Sequence, residues 1–219
     1  MNHILFTADQ NYAVRIPVVI KSIQVVHPKT QFHIHLISDG ITEELKQKLS
    51  TFTILYQYEF SYYPVQDSLF SDAPVNKHYS KAMYYRMLAH DILPNWIDQI
   101  LYLDPDILVI NSLLALWNEN LTDKLYAAAS HISEQGMLDN INRIRLETTS
   151  TYFNTGVLMI NLALCRQLIS TLIAVAVHHD ICITVIGIAG RSIANILTIY
   201  LRAVVRFLSI LTGYIQITG

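Results

Sequence analysis

The first half of the chain alternates short apolar runs with segments of helical spacing. Residues 3–8 (HILFTA) suit a buried parallel strand, and residues 12–26 carry apolar side chains at helical spacing before Pro28. Residues 32–37 alternate as a second strand, and Thr42 is placed to cap a helix whose first turn is acidic. Connections this short are typical of βαβ units. The sequence therefore predicts an open, Rossmann-like α/β fold with a mostly parallel sheet flanked by helices.

Charge and cysteine content exclude several classes of protein. The 219 residues carry a formal net charge of −2 without a basic cluster, which argues against nucleic-acid binding. The two cysteines have no metal-ligand spacing, which argues against a zinc site and a disulfide scaffold and favours a reducing cytoplasm. The start, MNHILFTADQ, lacks the basic and apolar regions of a signal peptide and is expected to form a strand.

The composition changes abruptly near residue 166. Residues 1–165 carry 27 charged side chains, whereas residues 166–219 carry five and are rich in Ile, Leu, Val, Ala and Thr. A change this sharp is unusual within one soluble domain. The predicted organisation is a domain over residues 1–165 and a divergent apolar tail over residues 166–219.

Two carboxylates stand in an apolar setting in QILYLDPDILVI, residues 99–110. Pro105 between Asp104 and Asp106 lacks a backbone donor and predicts a break between two strands, residues 100–103 and 107–110. Two carboxylates at a strand end can bind one hard cation such as Mg²⁺ or Mn²⁺. The alternative is a turn with two solvated aspartates.

Two further stretches place polar side chains at predicted strand ends. In ILFTADQNYA, residues 4–13, Asp9 and Asn11 follow a strand and could read a base by hydrogen bonds. In YFNTGVLMINL, residues 152–162, Asn154 and Gly156 precede a buried strand, and the glycine permits close backbone approach. Taken separately, the first is equally typical of a helix cap and the second of an ordinary loop-to-strand junction.

In combination, FTADxNY, YLDPDILV and YFNTGVLMINL resemble glycosyltransferase family 8 over most of residues 1–165. That family of retaining transferases includes glycogenin and bacterial lipopolysaccharide galactosyl- and glucosyltransferases. The resemblance implies a GT-A nucleotide-diphospho-sugar transferase fold, here incomplete at the C-terminus. It also implies a UDP-sugar donor and Mn²⁺ (or Mg²⁺) bridging the two aspartates to the diphosphate.

The resemblance assigns roles to matching positions. Asp104 and Asp106 match the metal ligands, and Arg86 and Asn154 match catalytic contacts to the donor phosphate or sugar. A helix-surface arginine is the alternative for Arg86. His78 falls where the family often has a sugar-side residue, and a solvated loop histidine is equally consistent. The positions expected to bind the donor are Ala8, Asp9, Asn11, Tyr12, Arg86, Asp104, Asp106 and Asn154.

The tail departs from the family pattern. Family members continue with an LPDQD- or QDQD-type segment and a later metal-binding histidine, and neither can be placed here. The polar cluster at residues 178–180 (HHD) could substitute for those ligands, but a loop between apolar segments is the favoured interpretation. We hypothesise that the tail is translated from a different reading frame, or that the gene is truncated and degenerate. Residues 193–211 are apolar but contain arginines. Two interpretations of the tail are therefore kept, peripheral association with a membrane and an exposed apolar surface prone to aggregation.

The predicted function is transfer of a hexose, glucose or galactose, from a UDP-sugar to a surface glycan or lipid-linked, lipopolysaccharide-like acceptor. The expected location is the cytoplasm, and peripheral association with the inner face of the membrane is a further option. The main alternative is a catalytically impaired remnant that binds UDP-sugar and metal without efficient transfer. A nucleotidyltransferase is a weaker alternative, because Gly40 is the single glycine among the first hundred residues and no glycine-rich phosphate loop precedes it.

The reading-frame hypothesis is testable on the gene itself. We expect the DNA, read one base out of phase after about codon 165, to encode a lysine- and acid-containing stretch with a DQD-like motif. Translating both alternative frames checks this, and absence of the motif from both contradicts the hypothesis.

Overall fold

The computed structural model describes residues 1–66, 85–130 and 153–168. The strands are β1 (Asn2–Thr7), β2 (Phe32–Ser38), β3 (Glu59–Pro64), β4 (Gln99–Leu103), β5 (Tyr126–Ser130) and β6 (Phe153–Asn161). The helices are α1 (Gln10–Ala13), α2 (Ile16–Val26), α3 (Glu43–Leu55), a 3₁₀ turn (Arg86–Leu88), α4 (Ala89–Ile92), α5 (Leu114–Trp117) and α6 (Leu162–Leu168).

The six strands form one mixed sheet in the order β3-β2-β1-β4-β6-β5. β1 pairs in parallel with β2 and with β4, and β3 extends the parallel part beyond β2. β6 runs antiparallel to both β4 and β5. The carboxyl ends of β1 to β4 and the amino end of β6 therefore meet at one edge of the sheet. The predicted α/β architecture is confirmed.

The two faces of the sheet are covered by different helices. Ile4 and Phe6 of β1 pack with α2 and α3 on one face, and Leu5 packs with α4 and α6 on the other. Every residue of β2 is buried, including two histidines. Parallel strands covered on both faces are expected to be almost continuously apolar. Polar side chains within β2 are therefore exceptions that need partners.

Local sequence signals predicted the first strands and helices of the chain correctly, with one difference. The helix expected over residues 12–26 is interrupted: α1 ends at Ala13, and α2 begins at Ile16 with Pro17 in its first turn. Proline suits that position because its missing N–H would be unbonded there anyway. Thr42 caps α3 as predicted, since its Oγ1 accepts a hydrogen bond from the N–H of Leu45 at 3.3 Å.

The strand predicted at residues 107–110 is wrong. After Leu103 the chain leaves the sheet, and the N–H of Val109 donates to Ser22 Oγ of α2 at 3.0 Å instead of to a strand. Val109 is buried between the exposed Leu108 and Ile110. A short apolar run that lies against one helix can therefore resemble a strand in sequence without having a partner strand.

Two further segments have clear local boundaries. β3 begins only at Glu59, because α3 runs to Leu55 and a turn follows with Gln57 at φ 59°. The described residues before Pro94 form the 3₁₀ turn and α4, which ends at Ile92.

The predicted boundary after residue 165 falls inside a helix. α6 runs through Leu168, and its residue Cys165 is buried in the core. The tail from residue 169, including the cluster at residues 178–180, and the loop with His78 lie outside the described residues. Among the described helices, none combines the length and the apolar character needed to cross a bilayer.

Arg166 of α6 holds the segment that links α4 to β4. Its Nε donates to the carbonyl of His90 at 2.9 Å, and Nη1 and Nη2 donate to the carbonyls of Ile97 and Pro94 at 2.9 and 3.0 Å. Weaker bonds reach Asn95 and Leu93 at 3.3 Å. The guanidinium thereby contacts several carbonyls of the short helix and the loop at once, and that of Pro94 also accepts a hydrogen bond from the N–H of Ile97 at 3.1 Å.

Arg166→Lys should lower the free energy of unfolding by about 2 kcal/mol, because an ammonium cannot reach several of these carbonyls with one planar fork. The change should shift the midpoint of urea unfolding while the m-value stays constant. Gln167→Lys is the control, since Gln167 is exposed on the same helix. Equal midpoints for the two variants would contradict the role given to Arg166.

Candidate functional site

The predicted polar stretches meet at the carboxyl edge of the parallel strands. Asp9 follows β1 and Asp104 follows β4, and these strands are parallel neighbours. The N–H of Asp104 donates to the carbonyl of Gly156 in β6 at 2.8 Å. Three segments distant in sequence therefore come together at one edge, where ligands bind in open α/β sheets.

Asp9 acts as a helix cap in the structure. Its Oδ1 accepts hydrogen bonds from the N–H groups of Asn11 and Tyr12, each at 2.9 Å, at the start of α1. Ala8 is buried, and its N–H donates to the carbonyl of Ile37 at 3.3 Å. The capping alternative is thus observed for Asp9. The role of Ala8, Asp9 and Asn11 in binding a base stays a prediction.

Arg15 connects the first polar stretch to the Asp-Pro-Asp turn. Its Cζ lies 4.5 Å from the centroid of the Tyr12 ring, and its Nη1 lies 3.7 Å from Asp106 Oδ2. Both ends of this ion pair are about half exposed, so its contribution to stability is small. Its consequence is geometric, because Arg15 links Tyr12, an expected donor-binding residue, to the second aspartate. Sequence reasoning did not identify Arg15.

Arg86 is buried beneath the edge of the sheet. Its side chain is 9% exposed, its Nη1 donates to the carbonyl of Thr155 at 2.8 Å, and the same atom lies 3.4 Å from Asp104 Oδ1. Its Cζ lies 4.2 Å from the centroid of the Tyr102 ring. The alternative of a helix-surface arginine is therefore wrong. The structure places Arg86 against one of the predicted metal ligands.

Tyr102 supports both charged groups, and the sequence reasoning missed it. Its hydroxyl donates to Asp104 Oδ1 at 2.5 Å and accepts from Thr7 Oγ1 at 3.4 Å. Burial is the main cause that raises the pKa of Tyr102, so the hydroxyl keeps its proton and acts as a donor. The signal was present in the sequence, since residues two apart on a strand share a face and Tyr102 precedes Asp104 by two.

The two aspartates fit a hard divalent cation. Their side chains are 33% and 47% exposed, so water and ligands can reach them. Oδ1 of Asp104 is occupied by Tyr102 and Arg86, whereas Oδ2 accepts no hydrogen bond from the described residues. Carboxylate oxygens at a solvent-accessible edge are the ligands that Mg²⁺ and Mn²⁺ prefer. The donor set is thus compatible with the predicted metal.

Asn154 lies at the same edge, as the second residue of β6. The bonding between Asp104 and Gly156 brings this end of β6 beside the Asp-Pro-Asp turn. The placement of its backbone agrees with the predicted contact to the donor, and its catalytic role stays a prediction.

The comparisons with known proteins agree with this geometry. The sequence model of glycosyl transferase family 8 matches residues 3–179. General stress protein A of Bacillus subtilis (strain 168) is 25% identical over 75% of this chain and 57% of its own length. Lipopolysaccharide 1,2-glucosyltransferase of Escherichia coli is 28% identical over 70% of this chain and 45% of its own length. The chain spans about half the length of the curated relatives it matches.

A solved structure with the same fold is the galactosyltransferase LgtC in complex with donor and acceptor sugar analogues. It has a TM-score of 0.67 and 30% sequence identity, and the likeness covers 75% of this chain and 59% of that chain. The likeness confirms the GT-A type of α/β fold. Since the family model covers well over half of its residues, the chain belongs to glycosyltransferase family 8.

Proposed function

We propose that this chain carries the donor-binding and catalytic part of a retaining hexosyltransferase. It takes glucose or galactose from a UDP-sugar and delivers it to a surface glycan or lipopolysaccharide-like acceptor. The names of two relatives support the substrate class: one is a lipopolysaccharide 1,2-glucosyltransferase, and the other is a galactosyltransferase bound to donor and acceptor sugar analogues.

The observation that carries this proposal is the pairing of buried Arg86 with Asp104 at the edge of the sheet. Transfer of a sugar from a nucleoside diphosphate leaves negative charge on the departing diphosphate. Fixed cationic groups at that point lower the barrier, because they need no reorganisation as the charge develops. A site of this kind suits a diphosphate leaving group better than a neutral one.

The surrounding residues keep Arg86 in place. The carbonyl of Thr155 and the face of the Tyr102 ring fix the guanidinium, whose positive charge lies beside Asp104, where the diphosphate of the donor would bind. Tyr102 also holds Asp104 Oδ1, so the carboxylate keeps one orientation. Mn²⁺ or Mg²⁺ held by Asp104 and Asp106 would supply further neutralisation of the diphosphate.

The remaining predicted residues are assigned to the other parts of the donor, which are the uracil, the ribose and the transferred sugar. Ala8, Asp9 and Asn11 would bind the uracil and ribose, with Tyr12 as the stacking ring. Asn154 would contact the transferred sugar. Their common position at the carboxyl edge supports this assignment, since Asp9 and Asp104 follow adjacent parallel strands.

Binding without transfer is the second candidate. It is favoured by the sequence after residue 165, in which no DQD-type segment and no histidine followed by glycine and lysine can be recognised. In that case the donor site would still bind UDP and metal, while hexose transfer would be weak or absent.

Asp104→Asn should abolish the dependence of UDP binding on Mn²⁺, because an amide oxygen is a neutral and poorer ligand than a carboxylate. Calorimetric titration of UDP with and without Mn²⁺ measures this, paired with an assay for UDP-sugar hydrolysis. The matched control is Asp123→Asn, an exposed aspartate away from the edge of the sheet.

The outcomes separate the candidates. Metal-dependent UDP binding together with hydrolysis supports the transferase, and metal-dependent binding without hydrolysis supports the impaired form. Absence of UDP binding to the folded chain refutes the donor site itself.

Arg86→Lys should lower kcat at least about tenfold, because an ammonium keeps the charge but loses the planar fork held by Thr155 and Tyr102. Steady-state transfer or hydrolysis of the UDP-sugar measures the change. Lys48→Arg is the control for exchange of a cation, since Lys48 is an exposed residue of α3. An unchanged kcat in Arg86→Lys would remove Arg86 from the catalytic group.

A further inference from the structure

Three histidines of neighbouring strands cluster on one face of the sheet. His3 belongs to β1, His33 and His35 belong to β2, and the parallel register pairs His3 with His33. One nitrogen from each ring lies within 4.8 Å of the other two. Within the described residues, no second group of three histidine, cysteine or carboxylate side chains comes as close.

His33 has a fixed tautomer. Its Nδ1 lies 3.3 Å from Glu59 Oε2, and its Nε2 lies 2.8 Å from Ser61 Oγ. A carboxylate can only accept, so Nδ1 carries the proton of the neutral ring and Nε2 keeps its lone pair. A carboxylate near the far nitrogen of a histidine is common around metal ligands in proteins, and here Glu59 contacts His33 at an ion-pair distance.

His3 and His35 share one proton. Nδ1 of His3 lies 3.0 Å from Nε2 of His35, and Nδ1 of His35 lies 3.1 Å from the hydroxyl of Tyr63. Burial, together with the neighbouring histidines, lowers the pKa of His3 to about 4 and that of His35 to about 3. Both rings are therefore neutral at neutral pH. If His35 carries its proton on Nδ1, toward Tyr63, and His3 takes the tautomer that is protonated on Nε2, two lone pairs face each other and a cation can bind between them.

The distances suit a tetrahedral ion. Two nitrogens bound to zinc at roughly 2.0–2.1 Å are about 3.3 Å apart. The observed separation of 3.0 Å between His3 and His35 needs an adjustment of a few tenths of an ångström. The ring of His33 stacks on that of His35 with centroids 4.0 Å apart, and it has to turn to bring its nitrogen in as the third ligand.

The cluster can be reached from solvent at one side. His33 and His35 are buried, whereas His3 is partly exposed and its ring lies 5.4 Å from that of Trp96, which is 64% exposed. His3 stands near the amino end of β1, and Asp104 follows the carboxyl end of β4. The histidines and the aspartates thus occupy opposite ends of the parallel strands.

We infer that His3, His33 and His35 form a binding site for a divalent transition-metal ion of the zinc type. Imidazole nitrogens select Zn²⁺, Co²⁺, Ni²⁺ or Cu²⁺, whereas the carboxylates of the other edge suit Mg²⁺ and Mn²⁺. A bound ion joins β1 to β2 through their side chains and stabilises the folded chain. The site is independent of the proposed transferase activity.

Titration with Co²⁺ tests the site, because tetrahedral Co²⁺ absorbs visible light intensely and Zn²⁺ displaces it. In excess Mg²⁺, which occupies the site at the aspartates, the full chain, stripped of transition metal with a chelator and dialysed, should bind one Co²⁺ that Zn²⁺ removes. His3→Gln and His35→Gln should each weaken Co²⁺ binding at least about tenfold. Loss of a residue that merely hydrogen-bonds to a metal ligand already weakens metal binding by about that factor. Circular dichroism verifies that each variant is folded.

Two controls locate the ion. His27→Gln changes a histidine outside the cluster and keeps an acceptor for the N–H of Leu113, so it should leave Co²⁺ binding unchanged. Asp104→Asn should also leave it unchanged. Zn²⁺ should raise the melting temperature of the wild type and not that of folded His3→Gln, since only a ligand of the native state shifts unfolding.

Three results would overturn the inference. They are a folded wild type that binds neither Co²⁺ nor Zn²⁺, binding that persists in folded His3→Gln and His35→Gln, and binding that disappears in Asp104→Asn. The last result would assign the ion to the aspartates instead.

Discussion

The parallel pairing of β1 with β2 on one side and β4 on the other determines where chemistry can occur in this chain. These strands are buried on both faces, so an ionised side chain within them would lose its hydration at a high cost in free energy. Where the strands end, water and ligands can reach such a side chain. Since parallel strands end at the same edge, Asp9 and Asp104 emerge side by side although 95 residues separate them. The bond from Asp104 to Gly156 then adds β6 to that edge.

Arg86 depends on this edge. A buried guanidinium costs several kcal/mol unless its donors are paired, and here a carbonyl of β6, an aromatic ring of β4 and the Asp104 carboxylate contact it. All three partners are positioned by the sheet. The cation is therefore held rigidly before any ligand arrives, which is the condition under which electrostatic stabilisation of a leaving group is effective.

Local sequence signals predicted β1, β2 and β4 well because each is a short, mostly apolar run bounded by turn residues. They failed where an apolar run had another cause, as at Val109, which packs against α2 without a partner strand. The interruption between α1 and α2 was missed because apolar spacing continues across it, although Pro17 marks the start of the second helix. Within the site, the aspartates were predictable from their setting and Tyr102 from its spacing to Asp104, but Arg15 acts through contacts that spacing alone does not reveal.

The sequence by itself determined the α/β class, the break at Pro105 and the family, because apolar periodicity, turn chemistry and ordered motifs are local properties. Only the tertiary structure decided which side chains meet: Arg86 with Asp104, Arg166 with the carbonyls around residues 90–97, and His3 with His33 and His35. The physical reason is that strand order and register set these contacts. Both depend on the burial of the whole sheet, and no single segment encodes them.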